Sequence, residues 1–223
     1  MQLDRATIRR RYLAVDSANV ADALDELGLT DQGLHADFGR IRTGSEPLAG
    51  WAYPIQGRAA TYSGGGDAAK MQACEGIGPD QVSVWAGAGE GICYFGELIA
   101  LGMRERGSAG ALVDAGIRDV RWLNQHNFSV FACYRTPVQS IGRWRVTGCN
   151  EPVQVPGATS SLVTIHPDDF ILGDDDGVVV IPNAVTTQVL ERAEALTQQE
   201  IQIRRELADG LTLSEALAKY GHV

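Results

Sequence analysis

The sequence predicts an α/β fold in which parallel strand pairings give way to an antiparallel section and then to a helical tail. Between residues 82 and 134, short apolar runs alternate with helical patterns across short connections, the β-α-β-α-β order of a sheet with parallel pairings. Beyond residue 150, four short apolar runs follow one another with only turns between them, which predicts an antiparallel meander. Residues 183–208 carry Val185, Val189, Ala193 and Leu196 at helical spacing.

In chain order, residues 18–27 predict a first helix. Ser17 stands at its N-cap, Val20, Ala23, Leu24 and Leu27 form one apolar face, and Gly28 takes the C-terminal glycine position. Strands are predicted at 55–62 and 82–86, and the stretch SGGGDAAKMQACEGIGPDQ between them opens flexibly with room for a short helix. The second strand runs into the glycine-rich GAGEG, read as a loop. A helix then extends from near Gly96 to Gly107, a strand covers 110–114, and the tight turn Ala115-Gly116-Ile117 leads to a short helix over about 119–126 and the strand SVFACY. PVQV, SLVTI, DFILG and GVVVI are the later strands, separated by PGAT, HPDD and DDDG. Asp174-Asp175-Asp176-Gly177 lacks the ligand alternation and downstream glutamate of a calcium loop, and Asp-Gly between apolar strands is a hairpin signal. The long helix stops at Gly210, and Thr212-x-x-Glu215 opens a last short helix with a capping box.

With 223 residues and no linker, repeat or low-complexity tract, residues 1–223 are expected to form one domain, with 183–223 as a helical tail suited to packing on a neighbouring subunit. The net charge of −9 disfavours nucleic acid as a direct partner, since an acidic surface repels phosphates. Cys74, Cys93, Cys133 and Cys149 have no CxxC spacing, so reduced thiols are expected rather than a zinc site or a disulfide framework. No long apolar run or N-terminal apolar leader is present, so the expectation is a cytoplasmic protein away from membranes.

Two segments carry candidate chemistry. Gly96-Glu97-Leu98-Ile99 opens a helix, where unpaired backbone N–H groups and the helix dipole favour an anion. Taken alone, it is also an ordinary helix start with an acidic first turn. Arg118-Asp119 follows GALVDAG at a strand-to-helix turn, where α/β folds place ligands. An arginine there can hold a carboxylate or a developing oxyanion, and an aspartate can hold a hard cation such as Mg2+ while leaving positions to water and substrate. Taken alone, this pair is equally a surface ion pair. Glu97 and Arg118 have twenty residues between them, the length of one helix, one strand and a turn, which would bring the two segments side by side. GAGEG at 87–91 is not a GxGxxG dinucleotide fingerprint, and His35, His126, His166 and His222 are scattered, as expected of structural or exposed residues.

The acidic residue, twenty-residue interval and Arg-Asp, with RERGSAGALVDAGIRDV, resemble the signature of the RraA-like superfamily, in particular its 4-hydroxy-4-methyl-2-oxoglutarate / 4-carboxy-4-hydroxy-2-oxoadipate aldolases. DSANVADALDELG, GPDQVSVWAG, SVFACYRTPVQ, PVQVPGATSSLVTIHPDDFILGDDDGVVVIP and the tail resemble the family's flanking segments, so the likeness covers nearly the whole chain. The resemblance implies a layered α/β/β sandwich of the phosphohistidine-domain-like type, assembled as a homotrimer or hexamer. It implies a metal-dependent class II pyruvate aldolase that also decarboxylates oxaloacetate. Asp119 would ligate Mg2+ or Mn2+, Arg118 would hold the small 2-oxo acid, Glu97 would hold a metal-bound water, and the backbone N–H groups around Gly96, Leu98 and Ile99 would receive the pyruvate carboxylate. Many of these aldolases carry Asp where this chain has Glu97, which bears on water geometry and substrate identity. They also draw an acidic residue from a neighbouring subunit's C-terminal region, for which Glu194 and Glu200 are candidates, although a solvated helix face is the plainer role for both.

Cleavage beside a carbonyl needs an enolate stabilised by a lysine imine or by a metal. Lys70 and Lys219 are the only lysines, and neither segment reads as buried, which favours the metal. Two alternatives accompany the resemblance: a non-catalytic RraA-type regulator that binds a ribonuclease, and a lyase for another keto acid or sugar acid.

Overall fold

A computed structural model describes residues 3–41 and 46–221. The chain begins with α1 (Arg5–Tyr12), α2 (Ser17–Glu26), β1 (Gly39–Arg40), β2 (Leu48–Ala59), α3 (Ala68–Glu75) and β3 (Gln81–Phe95). It continues with α4 (Glu97–Arg104), β4 (Gly110–Ile117), α5 (Val120–Gln125), β5 (Val130–Arg135) and β6 (Trp144–Cys149). The last part holds β7 (Val153–Pro156), β8 (Leu162–Ile165), β9 (Phe170–Gly173), β10 (Val178–Ile181), α6 (Thr186–Ala208) and α7 (Leu213–Tyr220).

The main sheet has the order β1-β5-β4-β3-β2-β9-β10, with β6 also paired to β2. β2, β3, β4 and β5 pair in parallel, as the β-α-β-α-β alternation predicts. The segment beyond residue 150 is antiparallel but divides: β9 and β10 join the main sheet, while β7 and β8 form a two-stranded sheet of their own.

Strand alternation separates the layers, because successive side chains point to opposite faces. On one face, Tyr53, Ile55, Trp85, Val113 and Ile117 pack with residues of α3, α4 and α5. On the same side of β2, Ala49 and Trp51 join Phe170, Leu172, Val179 and Ile181 beneath α1, α2 and α6. Leu48, Ala52, Val82, Val84, Leu112 and Phe131 point the other way, onto Val153, Val155, Val163 and Ile165 of the small sheet. The result is a helix layer, a curled sheet and a second sheet, the α/β/β sandwich. Every residue of β4 is buried, as a strand covered on both faces requires.

Local differences have physical reasons. Ser17 is the first residue of α2 rather than its cap: Asp16 takes the cap position without a side-chain bond. Asp174 of the β9–β10 turn supplies the missing acceptor, receiving the Ser17 N–H at 2.7 Å and its hydroxyl at 2.6 Å. The Asp-Gly segment is a hairpin turn, as its sequence predicts. β2 begins at Leu48, earlier than predicted, and ends at Ala59. Pro54 fits there because β9 pairs with Leu48–Trp51 and β6 with Ile55–Ala59, leaving the proline between the two partners.

The tail is helical. α6 buries Val189, Leu190, Ala193, Leu196 and Ile203, and both halves of the Thr212–Glu215 capping box are formed. Glu206 fixes α7 on α6 through Lys219 and Tyr220, and these donors hold its carboxyl down to about 2. Among the described residues, no helix is long and apolar enough to cross a membrane.

A β2–β6 contact gives a stability test. A Cβ on Gly57 would fall inside the ring of Trp144, which is 1% exposed and stacks on Tyr94 with ring centroids 4.0 Å apart. Overpacking a rigid core costs about 1–3 kcal/mol and sometimes more. Gly57→Ala is therefore expected to lower the unfolding free energy in urea by about 3 kcal/mol. Gly65→Ala, whose Cβ meets nothing within 4 Å, is expected to stay within about 0.5 kcal/mol of wild type.

Candidate active site at the ends of two parallel strands

The stretch read as a glycine-rich loop is a bulged continuation of β3. Its register against β4 shifts three times between Trp85 and Phe95. Gly87 and Gly91 take positive φ angles of 142° and 73°. The Tyr134 hydroxyl donates to the Gly89 carbonyl at 2.5 Å and lies 3.1 Å from that of Ile92, tying the bulges to β5. The bulges absorb extra residues until Phe95 pairs with Ile117, so β3 and β4 end level. Gly96 and Arg118 then leave the sheet side by side, with the Arg118 N–H donating to Phe95 O at 3.0 Å. The twenty-residue interval does close into one helix, one strand and a turn.

Asp119 adopts a left-handed backbone, φ 60° and ψ 31°, which aspartate tolerates better than most residues but which still stores strain. Its carbonyl accepts the first bonds of α5, while its carboxylate points back to the start of α4. Asp119 Oδ2 accepts the Glu97 N–H at 3.2 Å and lies 3.5 Å from Arg118 Nε. The side chains of Arg118 and Asp119 remain 43% and 38% exposed, so both are open to a ligand. Gly96 has no side chain to cap α4, and the Asp119 carboxylate fills that role against the positive end of the helix dipole. In a helix starting at Glu97, the N–H groups of Leu98 and Ile99 have no intrahelical acceptor. The Leu98 side chain is 78% exposed, whereas Ile99 packs on the core.

The Glu97 carboxylate turns to α5, where Oε1 lies 3.3 Å from His126 Nε2. No local motif links residues 29 apart, so His126 is paired here although its position in the sequence gives no sign of it. His222 lies outside the described residues.

Two cavities meet at Arg118. One, of about 430 Å3, is lined by Arg118, Asp119, Val120, Arg135 and Thr136. The other, of about 290 Å3, reaches from Gly96, Leu98 and Arg118 to Lys70. The expectation of an exposed Lys70 is corrected: its ammonium donates to the Tyr94 carbonyl and lies 5.4 Å from the Trp85 ring centroid. Burial lowers its pKa below that of an ordinary lysine. Lys70 is turned inward because Asp67 caps α3 through Oδ1 and receives the Val146 N–H of β6 on Oδ2 at 2.8 Å, which fixes the helix against that strand. Lys219 lies in the tail, as expected, bound to Glu206.

Other candidates are engaged elsewhere. Glu194 forms a two-pronged pair with Arg11 at 2.7 and 2.5 Å, and Glu200 pairs with Arg204 along α6. All four cysteines are free. Among the described residues, no group of three or more His, Cys, Asp or Glu side chains converges as a metal cage.

A family profile described as "RraA-like: Aldolase/RraA" matches residues 17–180, and the chain belongs to that family. It is 30% identical over 202 residues to a Halalkalibacterium halodurans protein named "Putative 4-hydroxy-4-methyl-2-oxoglutarate aldolase", covering 90% of this chain and 89% of that one. It is also 30% identical over 214 residues to Protein DlpA of Legionella pneumophila, covering 95% of this chain but 33% of the relative, so it spans about a third of that protein's length. Among solved structures, Streptomyces coelicolor RraAS2, described as an unusual member of the RNase ES inhibitor RraA protein family, superposes with a TM-score of 0.76 at 22% identity, covering 92% of this chain and 98% of that one. That last likeness is one of fold. Proteins named for an aldolase and for ribonuclease inhibition thus share this architecture.

Proposed function

We propose that the chain is a divalent-metal-dependent carbon–carbon lyase that cleaves a 4-hydroxy-2-oxo acid to pyruvate, with oxaloacetate decarboxylation as a side activity. The observation that carries this reading is the convergence of Arg118, Asp119 and the α4 N-terminus where the two cavities meet.

The residues suit Mg2+ or Mn2+. Mg2+ retains several waters and commonly takes one or two protein carboxylates plus substrate oxygens, whereas Zn2+ prefers three or four nitrogen and sulfur ligands. Asp119 has one N–H partner at 3.2 Å and a more distant guanidinium, which leaves lone pairs for a hard cation. When bound, the metal supplies Lewis acidity at the substrate's keto oxygen.

In this reading the N–H groups at Gly96, Leu98 and Ile99 receive the substrate carboxylate, and Arg118 offsets the charge that grows on the C2 oxygen. A water held by Glu97 takes the proton of the 4-hydroxyl. The C3–C4 bond breaks, C4 becomes a carbonyl, and the electron pair enters the enolate, which gains a proton at C3 to give pyruvate. His126 orients the Glu97 carboxylate. The reading includes assembly as a homotrimer or hexamer, supported by Leu213 and Leu217, which lie exposed one turn apart on the tail.

The test is pyruvate release from 4-hydroxy-4-methyl-2-oxoglutarate and from oxaloacetate, after EDTA treatment and after Mg2+ is restored. Release from the hydroxy acid that depends on metal is the expected result. Release from neither would overturn the lyase and favour a binding regulator.

A further inference from the structure

The cavity between Gly96 and α3 contains a cation that the cleavage chemistry above does not use. Lys70 and Arg118 both line it, and Leu98, Ile99 and Met71 contribute much of its apolar wall. The Lys70 ammonium meets the Tyr94 carbonyl and the face of Trp85, and among the described residues no carboxylate lies within salt-bridge range of it. Asp67, the acidic side chain in this cavity, has both oxygens committed to backbone N–H groups, those of Lys70 and Val146. A partly desolvated ammonium without a counter-ion is costly, and in such surroundings an entering anion is held more strongly than at an open surface.

The cavity is continuous from Gly96 and Arg118, where the reading above places the 2-oxo acid end, to Lys70. We propose that Lys70 is a specificity-determining residue that binds a second, distal carboxylate, so that the site selects dianionic 2-oxo acids over monoanionic ones of equal length. The orientation of the ligand in this proposal rests on the lyase reading. The anion subsite itself rests on the cavity and its unpaired cation.

The test is calorimetric binding to the full chain with Mg2+ present. 2-Oxoglutarate is compared with 2-oxopentanoate, which has the same length and the same 2-oxo acid end but no distal carboxylate. A charge-assisted contact of this kind gives the wild type a preference of about tenfold or more for 2-oxoglutarate. In Lys70→Met the preference is expected to fall below about threefold, with affinity for 2-oxopentanoate unchanged within about twofold. Lys70→Gln is expected to repeat the result, and thermal unfolding of each variant reports its fold.

Absence of a preference in the wild type, absence of binding by both acids, or a preference that survives both substitutions would overturn the proposal. A preference that depends on Lys70 in a protein that releases no pyruvate would sink the lyase while leaving the subsite standing.

Discussion

Asp119→Asn is expected to reduce metal-dependent pyruvate release by about a hundredfold or more while the protein stays folded. Asparagine is the informative replacement because it tolerates the left-handed backbone at φ 60° as well as aspartate does. Its side-chain oxygen can still accept the Glu97 N–H, so the start of α4 keeps its cap. The change that remains is loss of the negative charge and of one hard oxygen ligand. Urea unfolding is expected to shift by less than about 1 kcal/mol, while the Mg2+ concentration needed for half-maximal rate rises sharply. Arg118→Ala is expected to cause a comparable loss in kcat/KM with little effect on stability, because its guanidinium is 43% exposed and its nearest carboxylate partner is 3.5 Å away. Near-wild-type rates in either variant would sink the assignment of the site.

The meeting of the two candidate segments is legible in the sequence because it depends on lengths. One helix and one strand consume a fixed number of residues, so Glu97 and Arg118 could be brought together from their spacing before any contact was known. The path of the chain between them was less legible. Gly87, Gly89 and Gly91 suggest a loop, yet their backbone freedom lets β3 bulge repeatedly and still pair with β4 as far as Phe95. β2 starts ahead of the strand expected at 55–62, and the exchange of β9 for β6 along it cannot be seen in local composition. Ser17 looked like a cap because its type fits one, whereas the acceptor is Asp174, brought in by a hairpin far along the chain. Lys70 is the same kind of case: a lysine after a run of glycines reads as solvated, and it turns inward because Asp67 clamps α3 to β6. Periodicity and spacing report local geometry. Each feature they left hidden was decided by a partner distant in sequence.

Gly96→Ala tests whether the site works as a positioned unit. Gly96 has φ −160° and ψ −175°, an extended backbone open to any residue, so its constraint is steric rather than conformational. A Cβ there would lie 2.6 Å from Asp119 Oδ2 and 3.1 Å from Arg118 Cγ. Both side chains would have to give way, and the carboxylate would leave the Glu97 N–H. Misplacing reacting groups by about 1 Å can cost about a hundredfold in rate, so kcat/KM is expected to fall by about that factor. Stability should fall by only about 1 kcal/mol, the usual effect of losing one helix cap. Gly102→Ala in the same helix is the control, since its Cβ meets nothing within 4 Å and alanine favours the helix, so activity should hold and stability should rise by up to about 1 kcal/mol. Wild-type kinetics in Gly96→Ala would mean that activity does not need Asp119 against the end of α4, and the catalytic centre would have to be sought away from the ends of β3 and β4. A rate loss without a comparable loss of stability would tie catalysis to a position where a methyl group cannot be added without moving both Arg118 and Asp119.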